Sequence, residues 1–155
     1  MITIRPYEGE DARDLAAVFH SSVRTGARDH YGETERVAWS PSCPSANEWA
    51  NRLGGLRTLV AEKNGRRIGF MAWNAKGYLD LAFVHPDFMG QGVGDALYAV
   101  MLNQTLVDGV RVLNTDASHL AKSFLLRHGW THLERQIVRK NGVDLVNHKM
   151  GISLT

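Results

Sequence analysis

The residues of this chain that could do chemistry gather in one stretch, LDLAFVHPDFMGQGVGDALYAVM, from Leu79 to Met101. Gly90, Gly92 and Gly94 alternate ahead of a long apolar segment with helical character. Glycines at that spacing let the chain turn tightly with no Cβ in the way, leaving several N–H groups directed at one spot where a helix begins. Unpaired amides and the positive end of a helix dipole together bind phosphate. Met89, Gly90, Gln91, Gly92, Val93 and Gly94 are therefore a candidate diphosphate cradle, the alternative being a flexible connection without a ligand. Two other phosphate loops do not fit. A nucleoside-triphosphate loop needs Lys and Ser or Thr after its last glycine, where Asp95 and Ala96 stand, and a dinucleotide fingerprint needs G-x-G-x-x-G near the start of a doubly wound sheet.

The segment before the loop reads as a strand. Leu79, Leu81 and Phe83 alternate with Asp80, Ala82 and Val84, and since both sets are largely apolar or small, the strand should be covered on both faces. Asp80 is the one acid in it. His85-Pro86-Asp87 ends it, because proline lacks a backbone donor and restrains the residue before it.

The run VHPDFMGQGVGDALY resembles the acyl-CoA loop of the GNAT superfamily of N-acetyltransferases. The family pattern of Arg or Gln, two variable residues, Gly, one residue, then Gly or Ala falls on Met89, Gly92 and Gly94. Both glycines match and Met89 departs from the pattern. A second stretch, SHLAKSFLLRHGW, is similar to the family's other signature, with Ser118 in the place of Asn, then Ala121, then Gly129-Trp130 in the place of Gly-Phe. Leu125 stands where many relatives carry the tyrosine that protonates the departing CoA sulfur, and a leucine has no proton to give.

The resemblance implies an α/β fold of the GNAT kind: a mixed, mostly antiparallel sheet of about seven strands flanked by helices, with a splayed parallel strand pair. It implies an enzyme that moves the acetyl group of acetyl-CoA to an amine on a small molecule, peptide or protein, without a metal, as a possible homodimer. The alternative it leaves is a CoA-binding module with little or no turnover, suggested by Met89 and Leu125. On this reading Ala82, Phe83 and Val84 pair with the pantetheine and offer an N–H to the developing oxyanion. Asp80 removes the proton of the attacking ammonium, directly or through water, or else binds that ammonium without taking a proton. Many relatives place their acid two residues earlier, where this chain has Tyr78. Ser118 is the candidate partner of the cofactor or the leaving sulfur, with His119 the weaker choice. Tyr31 and Trp39 are candidates for the wall of the acceptor pocket. Packing alone is the competing account for these two and is favoured for Trp49.

The elements that must position these residues follow from periodicity and punctuation. A first strand at Ile2–Arg5 precedes a helix over about Glu10–Ser22, with Leu15, Val18, Phe19, Ser22 and Val23 on one stripe. Two short helices follow, around Glu33–Trp39 and Ser45–Leu53, the second opened by a Ser45/Glu48 capping box. Asn64-Gly65 joins two strands, Arg57–Lys63 and Arg66–Trp73, as a tight hairpin. The loop helix runs to Val107 with Val93, Leu97, Val100 and Met101 inward, and a parallel crossover leads to a strand at Val110–Asn114. A helix over Thr115–His128 and a hairpin, Thr131–Lys140 with Val143–Ile152 around Asn141-Gly142, complete the domain.

Composition bounds the rest. With 155 residues, 44% hydrophobic and 22% charged, the chain reads as a single globular domain, 1–155, able to bury its own core. A formal charge of +2 from 18 bases and 16 acids, with no basic stripe interleaved with aromatics, argues against nucleic acid as the partner. No uncharged run approaches membrane-spanning length, and no secretory pattern follows Met1. The lone Cys43 fits a reducing cytoplasm. His128 and His132 have metal-like spacing, but Gly129 breaks the helix between them and no ligand cluster joins them.

Overall fold

The structure is a computed structural model and describes residues 1–154. Seven strands form one sheet: β1 (Thr3–Pro6), β2 (Arg57–Lys63), β3 (Arg66–Trp73), β4 (Tyr78–Val84), β5 (Val112–Ala117), β6 (Thr131–Lys140) and β7 (Val143–Ser153), in the order β1-β2-β3-β4-β5-β7-β6. Every neighbouring pair is antiparallel except β4–β5. Both predicted hairpins form, with Asn64 and Gly65 at φ 51° and 76° and Asn141 and Gly142 at 48° and 79°, the positive φ pair of a type I′ turn.

The helices are α1 (Ala12–Ser21), α2 (Glu33–Trp39), α3 (Ala46–Leu53), α4 (Val93–Val107) and α5 (His119–Arg127). The expected capping box opens α3: Ser45 Oγ accepts from Glu48 N at 3.1 Å and Glu48 Oε1 from Ser45 N at 3.2 Å. One face of the sheet packs Leu59, Met71 and Leu113 against Val93, Leu97 and Met101 of α4 and Leu125 of α5. The other packs Val60, Phe70, Ala72 and Leu81 against Leu15, Ala16 and Val18 of α1 and Trp49 and Leu53 of α3.

Three local expectations need correction. The alternation along β4 is broken by a β-bulge: Trp73 lies opposite Leu79 and Ala72 opposite Leu81, so Asp80 has no partner on β3. Leu79 consequently faces the α4 layer while Leu81 and Phe83 face α1 and α3. Next, β5 starts at Val112 and continues to Ala117, so Thr115 is strand rather than helix. Its pairing with β7 over six residues holds it extended, and α5 begins only after Ser118, whose Oγ accepts from Ala121 N at 3.1 Å. Finally, α1 continues as a wider π-helical turn over Ser22–Gly26, in which Ser22 Oγ donates to Val84 O at 3.0 Å.

The feature that makes room for a ligand is the parallel pair. β4 and β5 are hydrogen-bonded only at Tyr78/Asn114 and Leu79/Thr115 and then diverge. Gly77 sets the hinge. It sits at φ +92°, and a Cβ there would lie 2.5 Å from Val112 O, so only glycine lets the two strands meet this closely before they part. From the Asp80 bulge onward the β5-side edge of β4 has no strand partner among the described residues.

Candidate active site

The opening between β4 and β5 joins two cavities. The first, about 500 Å³, runs between the glycine loop and α5. It is bordered by Phe88, Met89, Gly90, Gly92, Val93 and Gly94 on one side, by Ala82, Phe83 and Val84 along the free edge of β4, and by Ser118, Ala121 and Phe124 of α5. The second, about 330 Å³, lies toward α3 and the β6–β7 hairpin and is bordered by Phe19, Tyr31, Trp39, Trp49, Arg52, Asp80 and Asp116. Trp39, Ala82, Phe83, Ser118, Ala121 and Phe124 border both, so they form the neck. Every candidate site residue borders one or both cavities except Gln91, whose side chain donates to Asp87 O at 3.3 Å within the loop, and His119, whose ring stacks on Tyr31.

The loop has the form expected of an anion cradle. A 3-10 turn, Pro86–Phe88, is capped by His85 Nδ1, which accepts from Asp87 N at 3.1 Å, so this imidazole serves the turn. Gly92 is the N-cap of α4 at φ 84°, and a Cβ at either Gly90 or Gly92 would meet nothing of the protein within 4 Å. The space in front of the first turn of α4 is thus open, and the amides there are the unpaired ones of a helix start. Asp95, the one acid of that turn, is itself countered: its Oδ1 is 2.7 Å from His128 Nε2 and 3.7 Å from Arg127 Nη2. Met89 packs its sulfur toward Gly26, where a Cβ would lie only 3.2 Å from Sδ.

At the neck, Ser118 Oγ accepts the Ala121 amide, which leaves its own proton free to be donated. Leu125 is 1% exposed and part of the core. Tyr98, also buried, accepts from Trp130 Nε1 at 2.8 Å and belongs to the packing. Tyr31 has its hydroxyl committed as well: it donates to Val146 O at 2.6 Å and accepts from His119 N at 3.1 Å, while its ring stacks on His119 and meets Trp39 edge-on. Burial raises the Tyr31 phenol above its ordinary range. Tyr31 and Trp39 therefore shape the smaller cavity as aromatic surface.

Sequence reasoning missed three features. Arg52 of α3 reaches across to Asp80 and donates from Nη1 and Nη2 to its two oxygens at 2.9 and 2.8 Å, a pairing that raises the Arg52 guanidinium and fixes how the carboxylate points. Tyr78 Oη donates to Asp116 Oδ2 at 2.7 Å, and burial followed by this acid holds the phenol far above its usual range. His119, His148 and His132 form a row, Nδ1 to Nε2 at 2.8 Å and Nδ1 to Nε2 at 3.0 Å, in which burial and then the cation of Lys122 depress the central imidazole to about 4. The sequence holds no local signal for the first of these, since Arg52 and Asp80 lie 28 positions apart on different elements. Among the described residues no group of three or more His, Cys, Asp and Glu could hold a metal ion, and no helix is long and apolar enough to cross a membrane.

The model of the acetyltransferase (GNAT) domain matches residues 27–152. The chain belongs to the GNAT acetyltransferase family. It is 31% identical over 149 residues to YafP, an uncharacterized N-acetyltransferase of Escherichia coli K12, covering 96% of this chain and 94% of that one. A GCN5-related N-acetyltransferase from Rhodopseudomonas palustris shares 34% identity over 98% of this chain and 95% of its own, with a TM-score of 0.92. The fold is also that of the yncA protein of Salmonella typhimurium, solved with its cofactor acetyl-CoA, at a TM-score of 0.75 and 21% identity over 100% and 95% of the two chains. This GNAT protein is accordingly an acetyl-CoA-dependent N-acetyltransferase. The mixed sheet of seven strands with one parallel pair, expected from the resemblance, is the observed one.

Proposed function

We propose that this acetyltransferase binds acetyl-CoA in the larger cavity and an amine acceptor in the smaller one, and joins them at the neck between β4 and β5. The observation that carries the reading is that one gap in the sheet puts an open helix start, an unpaired strand edge and a carboxylate-bearing pocket in line. The amides of Gly90–Gly94 would hold the diphosphate, and the free edge of Ala82–Val84 the pantetheine amides. Bound there, acetyl-CoA supplies an acetyl thioester.

This chain's own residues then orient the amine and handle protons. Asp80, held by Arg52, receives one proton of the acceptor ammonium directly or through water, freeing the nitrogen lone pair. A β4 amide stabilises the oxygen that becomes negative as the carbon–nitrogen bond forms. The carbon–sulfur bond breaks, and Ser118, the hydroxyl at the neck, passes a proton to the sulfur in place of the tyrosine that Leu125 replaces, taking up the second proton of the acceptor nitrogen in exchange. Of the two protons the ammonium loses, one ends on CoA and one in solvent. The lone exposed Cys43 supports a cytoplasmic setting, and the outer strand β6, with Leu133 and Ile137 59% and 61% exposed, supports a homodimer.

Free thiol release from acetyl-CoA across a panel of amines tests the reading. Turnover with at least one amine is expected, with Asp80→Asn slowing it by about 10²-fold or more. CoA binding without thiol release under any amine would show a binding module instead. An unaltered Asp80→Asn rate would take the base role from Asp80 alone.

A further inference from the structure

The smaller cavity carries both signs of charge in equal number: Arg52 and Lys140 against Asp80 and Asp116. A pocket for a polyamine would be net negative and one for an anion net positive, since complementarity of charge is what selects a polar ligand. Within this balanced set the unused groups also divide. Asp80 occupies one N–H on each of Nη1 and Nη2 of Arg52, and no acceptor among the described residues meets the remaining three of the five guanidinium donors. Trp49, three residues before Arg52 on α3 and 5% exposed, has a buried indole N–H with no acceptor among the described residues. Across the cavity on β7, Asn147 has a buried side-chain oxygen with no donor among the described residues. A buried polar group without a partner is costly in a folded protein and marks a place where something else completes the bond. The free donors of Arg52 thus lie on the α3 side and Asn147 on the β7 side, with Asp80 at the bulge between the sheet and α3. The rest of the wall is apolar and aromatic, from Phe19, Trp39, Tyr31 and Leu145.

We infer that the acceptor is a zwitterion, an α-amino acid with a large apolar side chain, whose carboxylate is held by Arg52 and whose α-amine lies by Asp80. The guanidinium bridges the two carboxylates: one edge holds Asp80 and the other grips the acceptor, which fixes the amine beside Asp80 and leaves no charge uncompensated. The aromatic wall takes the side chain. Arg52 is then the residue that sets specificity, and the inference rests on the acetyl-transfer reading above.

The test compares L-phenylalanine and L-leucine with their decarboxylated counterparts, phenethylamine and isoamylamine, and with the amino-acid amides, by thiol release from the full chain. The amino acids should be preferred in kcat/KM by about 10- to 100-fold, the size of one charge-assisted contact. Arg52→Gln should erase the preference, chiefly by raising KM, and Arg52→Lys should keep part of it. Calorimetry with N-acetyl-L-phenylalanine on the unreacted protein gives a second readout, and its affinity should fall in Arg52→Gln by the same factor. A thermal melt of each variant shows that it is folded. Transfer to simple amines, polyamines or peptide N-termini at equal or higher kcat/KM, or a preference that survives Arg52→Gln, overturns the inference while the acetyltransferase reading stands. Absence of thiol release with every acceptor defeats both.

Discussion

Replacing Gly92 by aspartate and, separately, by asparagine isolates the electrostatic term of cofactor binding. The two side chains have the same shape, and a Cβ at this position meets nothing within 4 Å, so neither is rejected by the protein. Both share the cost of a left-handed backbone at φ 84°, about 1–2 kcal/mol for a residue with a Cβ and less for Asn and Asp. An acid at the front of α4 is partly repaid by the helix dipole, so the melting temperatures of the two variants should differ little. What separates them is one negative charge beside the diphosphate. At about 6 Å and an effective dielectric of about 20, a unit pair repels by about 3 kcal/mol, or roughly 100-fold in affinity. Titration of CoA by calorimetry should therefore give a Gly92→Asn protein within about tenfold of the parent and a Gly92→Asp protein some 100-fold weaker than that. Equal affinities for the two folded variants would mean that the diphosphate does not lie at the start of α4, and the placement of both substrates would fall with it.

The remaining predictions concern the frame. Asp11 is fully buried and accepts from Arg5, Arg67 and the Glu8 amide at 2.8 Å each, contacts that hold its carboxyl well below the usual range, led by the Arg5 bond. Asp11→Ala should cost about 3–5 kcal/mol in urea unfolding, and a loss below about 1 kcal/mol would show that the cluster is not an anchor. His148 is buried and neutral, its pKa lowered from 6.5 to about 4, so it favours the fold above pH 6.5 and that contribution disappears as pH falls toward 4. The loss amounts to about 3 kcal/mol, and His148→Gln should flatten the unfolding free energy over this range; an unchanged slope would refute the assignment. Gly77→Ala forces a Cβ to 2.5 Å from Val112 O at φ +92°, so it should destabilise by about 2–4 kcal/mol or more, and a melt within a degree or two of the parent would show that β4 and β5 need not meet so closely.

What the sequence determined by itself is what depends on neighbours along the chain. Asn64-Gly65 and Asn141-Gly142 favour a tight turn, Ser45 and Glu48 satisfy each other's amides, and Gly92 stands just before a long apolar run of helical length. Those local rules were enough for the element order, and the family resemblance for the sheet type. Tertiary structure decided the rest, because it depends on ladders between distant segments. The bulge that lifts Asp80 out of register arises from pairing with β3, and the extension of β5 through Thr115–Ala117 arises from pairing with β7, which outweighs the helical pattern read there. The bond from Arg52 to Asp80 spans 28 positions and joins a helix to a strand that share no local signal. A periodic pattern tells which side of an element is apolar; only the packed sheet brings one polar side chain to another.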